Sequence, residues 1–108
     1  MSSTNNQQIP LEDAINLTTS FQATKATGFP ICETFDLDNI STLLSIAGCV
    51  SLRIYLGQQA DGTVVTILVA ADINGNDILP SAERTDAVIL EDGYRCPQFC
   101  PTASPLIA

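Results

Sequence analysis

Hydrophobic and polar residues alternate along residues 49–56, which is the pattern of a strand with one face in a core. The following apolar segment, residues 63–71, is hydrophobic on both faces, as is typical of a central strand that is covered on both sides. Asp61-Gly62, between the two segments, favours the left-handed backbone of a hairpin turn. The alternation predicts a core face and an opposite face on the first strand, made respectively by Val50, Leu52, Ile54 and Leu56 and by Ser51, Arg53 and Tyr55.

Two helices are predicted before this hairpin, because apolar residues recur there at spacings of three and four. The first covers residues 10–24, starts with a proline that the first helical turn tolerates, and has Phe21 as its largest apolar contact. The second is capped by Asp36 or Asp38. It ends at Gly48, since a glycine just past the last apolar residue commonly terminates a helix.

The predicted elements indicate the α+β class, with two helices packed on a small antiparallel sheet centred on the hairpin of residues 49–56 and 63–71. Residues 86–90, DAVIL, favour a third strand because of their β-branched content. Residues 1–8 are polar and are expected to form a flexible tail, residues 9–93 a single domain, and residues 94–108 a C-terminal tail rich in cysteine and proline.

Composition limits the possible functions of the chain. Its 108 residues include 12 acidic and 4 basic side chains, for a net charge of -8. Such a protein is repelled by nucleic-acid phosphates and by anionic membranes, so neither is an expected partner. A secretory signal and an apolar run long enough to span a bilayer are missing from the sequence, which predicts a cytoplasmic protein.

Several catalytic classes are excluded by the residues that the chain lacks. It contains no histidine, which removes histidine-based triads and histidine zinc sites. Neither a glycine-rich phosphate loop nor a GxSxG serine motif occurs. Cysteine and carboxylate chemistry remain, and no catalytic residue is assigned.

Sequence segments in a fixed order resemble a group of small uncharacterised bacterial proteins: LEDAI, LLSIAGC, LRIYLG, INGNDI and CPQFCP. The resemblance covers about residues 10–101, and its most specific parts are GCVSLRIYLG, NGNDI and the Cys-Pro tail. It implies a small α+β domain and implies no particular function.

The favoured interpretation of the four cysteines is that they are buried or free thiols. A disulfide in the tail is an alternative, and a tetrahedral zinc site with four thiolate ligands is another, although its Cys-x3-Cys spacing is unusual. Arg95, next to one of these thiols, would stabilise a thiolate, so a cysteine-based redox protein is a further alternative. The four residues are Cys32, Cys49, Cys96 and Cys100.

Arg53 and Tyr55 are predicted to lie side by side on one face of the first strand. Together they could bind a carboxylate or contact a protein partner, since both residue types are frequent at interface hot spots. The alternative is a solvated face on which acidic neighbours neutralise Arg53. Two helices also leave part of a three-stranded sheet uncovered, which favours self-association. We therefore expect a non-enzymatic binding or assembly module that acts through an exposed sheet face, with another protein or a second copy as its partner.

Calcium binding is the alternative function, because residues 72–83, DINGNDILPSAE, align with the calcium loop of an EF-hand. Asp77 stands where that loop has a glycine, and a tight turn at Asn74-Gly75 would explain the same residues without a metal. Calcium is therefore the candidate ion, and zinc is less favoured. The predicted side-chain ligands are Asp72, Asn74, Asn76 and Glu83.

Overall fold

The computed structural model describes residues 6–107, so most of the predicted N-terminal tail lies outside the described residues. The strands form two antiparallel sheets, which we call the larger sheet (β2-β3-β4, in that order) and the smaller sheet (β1-β5). The predicted α+β class, with the hairpin at its centre, is confirmed. In chain order the elements are α1 (Leu11–Thr24), β1 (Cys32–Thr34), α2 (Leu37–Leu44), β2 (Ser51–Gln58), β3 (Val64–Ala71), β4 (Asp77–Ile78) and β5 (Tyr94–Cys96).

The predicted hairpin forms the centre of the larger sheet. β2 and β3 pair antiparallel over their whole length. At the turn the backbone amide of Gln59 donates a hydrogen bond to the Thr63 carbonyl at 2.9 Å. Gly62 has a φ of +93°, the left-handed conformation that its place after Asp61 predicts. Both strands and the turn are therefore confirmed.

The aliphatic face of β2 is exposed, contrary to the prediction that it lies in the core. α2 packs over β3 and β4 through Leu43, which lies in one core cluster with Leu68, Ala70 and Ile78. Ile46, just after the end of the helix, belongs to the same cluster. This cover does not extend to the neighbouring edge strand, which explains the difference. We call the exposed side chains the aliphatic row, and their exposed fractions are Val50 53%, Leu52 40%, Ile54 58% and Leu56 69%.

β3 is the central strand and is largely buried on both faces, as its sequence predicts. Its edge away from β2 has several different partners. The backbone amide of Thr66 donates a hydrogen bond to the Glu33 carboxylate, and the last two residues of β3 pair with β4. Between these contacts Leu68 exchanges two hydrogen bonds with Leu90, at 2.8 and 3.0 Å. Residues 86–90 therefore form one isolated bridge, and the predicted third strand there is wrong because β4 and Glu33 occupy the adjoining positions.

The predicted helices are present, but their contacts differ. α1 follows Pro10 as expected, yet none of its residues is buried against the described part of the chain. Phe21 is 39% exposed and packs edge-on against Phe29, with ring centroids 5.8 Å apart. Asp36 precedes α2 without a capping hydrogen bond from its side chain. The predicted end of this helix at Gly48 is wrong, because α2 ends at Leu44 with Ser45 as its C-cap, and Gly48 lies in the turn that follows, with a φ of +88°.

Candidate functional site

β2 is an edge strand, and its outer edge is unpaired among residues 6–107. The Leu68 amide points away from β2 toward Leu90, so Leu68 and its cross-strand partner Ile54 form a non-hydrogen-bonded pair. The backbone N–H and C=O of Ile54 therefore point to the open edge. Because these directions alternate along a strand, the backbone groups of Leu52 and Leu56 point there too.

The same three residues carry most of the aliphatic row. Leu52 and Ile54 stand at the border of the core, opposite Ala70 and Leu68 of the core cluster, whereas Leu56 lies opposite Thr66 outside that cluster. Full burial of an aliphatic side chain contributes about 1.5–3 kcal/mol, so this row leaves part of that stabilisation unused. The segment of residues 50–58, VSLRIYLGQ, contains neither lysine nor proline, the residues that commonly protect an edge strand from pairing.

On the opposite face of β2, Arg53 and Tyr55 bind a carboxylate of the same chain, that of Asp77 in β4. The Tyr55 hydroxyl donates to Asp77 Oδ2 at 2.6 Å. Arg53 donates through Nη1 to Asp77 Oδ1 and through Nη2 to the Gly75 carbonyl, the latter at 2.9 Å. We call these three side chains the Asp77 cluster, which joins β2 to β4 across the central strand.

Electrostatics favour the charged form of Asp77 in this cluster. The hydrogen bond from Tyr55, together with the bond and charge of Arg53, lowers the pKa of the Asp77 carboxyl, although desolvation acts in the opposite direction. The bond to Asp77 raises the pKa of the Tyr55 hydroxyl. Both predicted interface residues thus have an internal partner, and their contact with another protein stays a prediction.

The predicted calcium loop contains a turn built on one carboxylate. Asp72 Oδ1 accepts hydrogen bonds from the backbone amides of Asn74 and Asn76, each at 2.9 Å. Glu83 is exposed, and Asp77 belongs to the Asp77 cluster. Throughout the part of the chain that the structure describes, no group of three or more His, Cys, Asp or Glu side chains could hold a metal ion. Calcium binding at this loop, which would use asparagine oxygens as well, stays a prediction.

The cysteines divide into a pair and two free thiols. Cys96 and Cys100 form a disulfide, the alternative that the sequence raised for the tail. Cys32 and Cys49 are free, in agreement with the favoured interpretation for these two only. Cys32 lies directly opposite Cys96 in the smaller sheet. This pairing leaves two thiols, fewer than the four ligands of the zinc site considered above.

A buried ion pair in the smaller sheet was missed by sequence reasoning. Glu33 and Arg95 are cross-strand partners, with Glu33 Oε1 3.6 Å from Arg95 Nε. The Glu33 side chain is only 4% exposed, and the same oxygen accepts the Thr66 amide at 2.8 Å. This contact attaches the smaller sheet to β3. The three-residue strand that carries Glu33 has no periodicity that would have revealed it.

No family model, curated protein or solved structure matches the chain. Neither described helix is long and apolar enough to cross a membrane. The resemblance to small bacterial proteins stays a prediction.

Proposed function

We propose that this protein is a non-enzymatic assembly module whose partner is a second copy of the chain, bound through β2. One observation supports this most: the unpaired backbone groups and the exposed aliphatic side chains belong to the same residues, Leu52, Ile54 and Leu56. An edge strand of this kind is a template for pairing with another strand. Two copies of β2 would satisfy each other's backbone groups and cover each other's aliphatic row.

The side chains favour one register for a symmetric antiparallel pair, with Ile54 on the two-fold axis. Leu52 of one copy would then lie opposite Leu56 of the other, so that the aliphatic row continues across the interface. On the opposite face Arg53 would lie opposite Tyr55 of the second copy. An axis at Arg53 would instead place two guanidinium groups opposite each other, which is unfavourable.

The distribution of charge is compatible with self-association at this edge. Although the chain has a net charge of -8, residues 50–58 contain no acidic residue. Their single charged side chain, Arg53, is paired with Asp77. The repulsion between two acidic copies therefore comes mainly from residues outside the proposed contact.

The oligomeric mass in solution tests the proposal. We expect a dimer at high micromolar concentration, measured by light scattering during size-exclusion chromatography. Ile54→Asp should give a monomer, because it would place two carboxylates together at the axis. Leu17→Asp makes the same kind of change at an exposed position of α1 and should leave the dimer intact. A monomeric wild-type protein would contradict self-association.

Cysteine cross-linking tests the register separately, in a background with Cys32→Ser and Cys49→Ser. Ile54→Cys should form an intermolecular disulfide under mild oxidation, since paired Cα atoms about 5.5 Å apart are within disulfide range. Leu52→Cys should cross-link poorly, because its two copies would lie four residues apart along the strands, about 13 Å. Equal cross-linking of both variants would contradict the register.

The location of the protein is a separate proposal. The cytoplasmic location expected from the sequence stays a prediction. The Cys96–Cys100 disulfide counts against it, because disulfides persist mainly in oxidising compartments. Alkylation of free thiols before cell lysis would test it, since in a reducing cytoplasm both tail cysteines should be labelled.

A further inference from the structure

Three cysteines meet at one end of the smaller sheet. Cys96 is bonded to Cys100, with Cα atoms 4.6 Å apart, and Cys32 lies directly opposite Cys96 on the neighbouring strand. Residues that face each other in an antiparallel pair share one side of the sheet, with Cβ atoms about 4.5–5.5 Å apart. Only a small adjustment separates that spacing from the Cβ separation of a disulfide, about 3.5–4.5 Å. Cys96 thus has a second potential partner besides Cys100.

The three cysteine residues differ in their exposure to solvent. Cys96 is fully buried, Cys32 is half-buried and Cys100 is exposed. A thiol from outside the protein therefore cannot readily reach the sulfur of Cys96, whereas Cys32 is adjacent to it. Access favours Cys32 as the thiol that attacks Cys96.

We propose that Cys96 exchanges its disulfide partner between Cys100 and Cys32. Cys32 first loses its proton to solvent, and its thiolate attacks Cys96 Sγ. The Cys32–Cys96 bond forms as the Cys96–Cys100 bond breaks, and the electron pair leaves on Cys100 Sγ, which then takes up a proton. One thiol and one disulfide are present before and after the step, so it requires neither an oxidant nor a reductant.

The exchange moves the reactive thiol to the surface. In the structure the residues after β5 return to it: the Phe99 amide donates to the Arg95 carbonyl at 2.8 Å, and the Phe99 ring packs edge-on against Tyr94. After exchange a disulfide would join the two strands of the smaller sheet, and the segment that carries Cys100 would no longer be closed covalently. The Cys100 thiolate could then attack a molecule that carries a disulfide, forming a mixed disulfide as the other sulfur of that molecule leaves as a thiolate.

Cys49 provides an internal control, because it belongs to a different part of the fold. Its Sγ donates to the Ser51 carbonyl at 3.4 Å, and its side chain packs against the core cluster beneath α2. It should remain a free thiol throughout, in either arrangement of the other three cysteines.

Mapping of free thiols tests the exchange. The native protein is incubated at mildly alkaline pH, quenched with acid, labelled with a thiol reagent that reacts at low pH and digested with pepsin for mass spectrometry. We expect the label on Cys32 in one fraction of molecules and on Cys100 in the remainder, together with a peptide that links Cys32 to Cys96. Cys49 should be labelled in all molecules.

Variants assign the step to Cys32. Cys49→Ser should leave the exchange unchanged, whereas Cys32→Ser and Cys32→Ala should each leave Cys100 unlabelled. The proposal would be overturned if Cys32 and Cys49 alone were labelled in the wild-type protein after prolonged incubation. Loss of label from Cys49 would also overturn it, because the disulfides would then be rearranging in the unfolded chain.

Discussion

The Tyr55 hydroxyl donates a hydrogen bond to the Asp77 carboxylate, and this 2.6 Å contact connects the edge strand β2 to β4 across β3. Because the bond lowers the pKa of Asp77, the charged form of Asp77 stabilises the fold. This contribution is complete above the ordinary pKa of 3.8 and is lost as the pH falls through the lower pKa of the folded protein. We therefore predict that part of the acid destabilisation is due to Asp77.

The urea midpoint, measured as a function of pH, checks this prediction. Asp77→Asn should lower the midpoint at neutral pH and flatten its decline below pH 3.8. Tyr55→Phe should have a smaller effect in the same direction, because Arg53 remains bound to the carboxylate. Glu83→Gln, which removes one carboxylate at an exposed position, is the matched control for the loss of a negative charge. An unchanged acid slope in Asp77→Asn would contradict the prediction.

The hairpin could be predicted from the sequence because its information is local. Alternation identifies which side chains of β2 share a face, and Asp61-Gly62 marks the turn. Alternation does not show whether another element covers that face. The aliphatic row was assigned to the core for this reason, whereas its exposure follows from the position of α2 over β3 and β4.

The candidate sites depended on pairings that the sequence does not reveal. Asp77 meets Arg53 and Tyr55 only because the two-residue strand β4 pairs with β3 in a particular register. Cys32 lies opposite Cys96, more than sixty positions away along the chain, only because the three-residue strands β1 and β5 pair with each other. Strands this short have too few residues for a recognisable period, so their pairing is set by tertiary contacts.

Gly28 and Gly62 give a matched pair for testing a close approach between two backbones. Both have left-handed φ values, +97° and +93°. A Cβ atom on Gly28 would overlap the Gly62 carbonyl oxygen, whereas no described atom lies within 4 Å of a Cβ on Gly62. Each alanine variant should lose about 1–2 kcal/mol through left-handed strain. Gly28→Ala should lose more, because a backbone carbonyl has little freedom to move.

Free energies of unfolding in urea would measure the difference. The close approach also positions the Gly28 carbonyl, which accepts the Val64 amide at 2.7 Å at the start of β3. The free energy of unfolding of Gly28→Ala should therefore be lower than that of Gly62→Ala. The difference should exceed the error of extrapolating the free energy to zero urea. Equal losses at the two positions would show that the segment around Gly28 can shift away from the turn.

The Asp72 carboxylate organises the turn after β3, and its role there can be separated from metal binding. Asp72 Oδ1 accepts two backbone amides, those of Asn74 and Asn76. In the absence of calcium, Asp72→Ala should destabilise the protein by about 1 kcal/mol, because both acceptor contacts are lost. Asp72→Asn retains an acceptor oxygen and should lose less. A similar loss in the two variants would indicate that the charge of Asp72 matters more than its hydrogen bonds.

Calcium binding predicts a further effect, on the melting temperature. An ion that binds only the folded state stabilises that state, so millimolar calcium should raise the melting temperature of the wild-type protein. The rise should disappear in both Asp72→Ala and Glu83→Gln, which remove the predicted first and last ligands of the loop. Glu12→Gln removes a carboxylate from α1 and should retain the rise. Identical wild-type melting curves with and without calcium, together with no heat of binding by calorimetry, would show that Asp72 serves the turn alone.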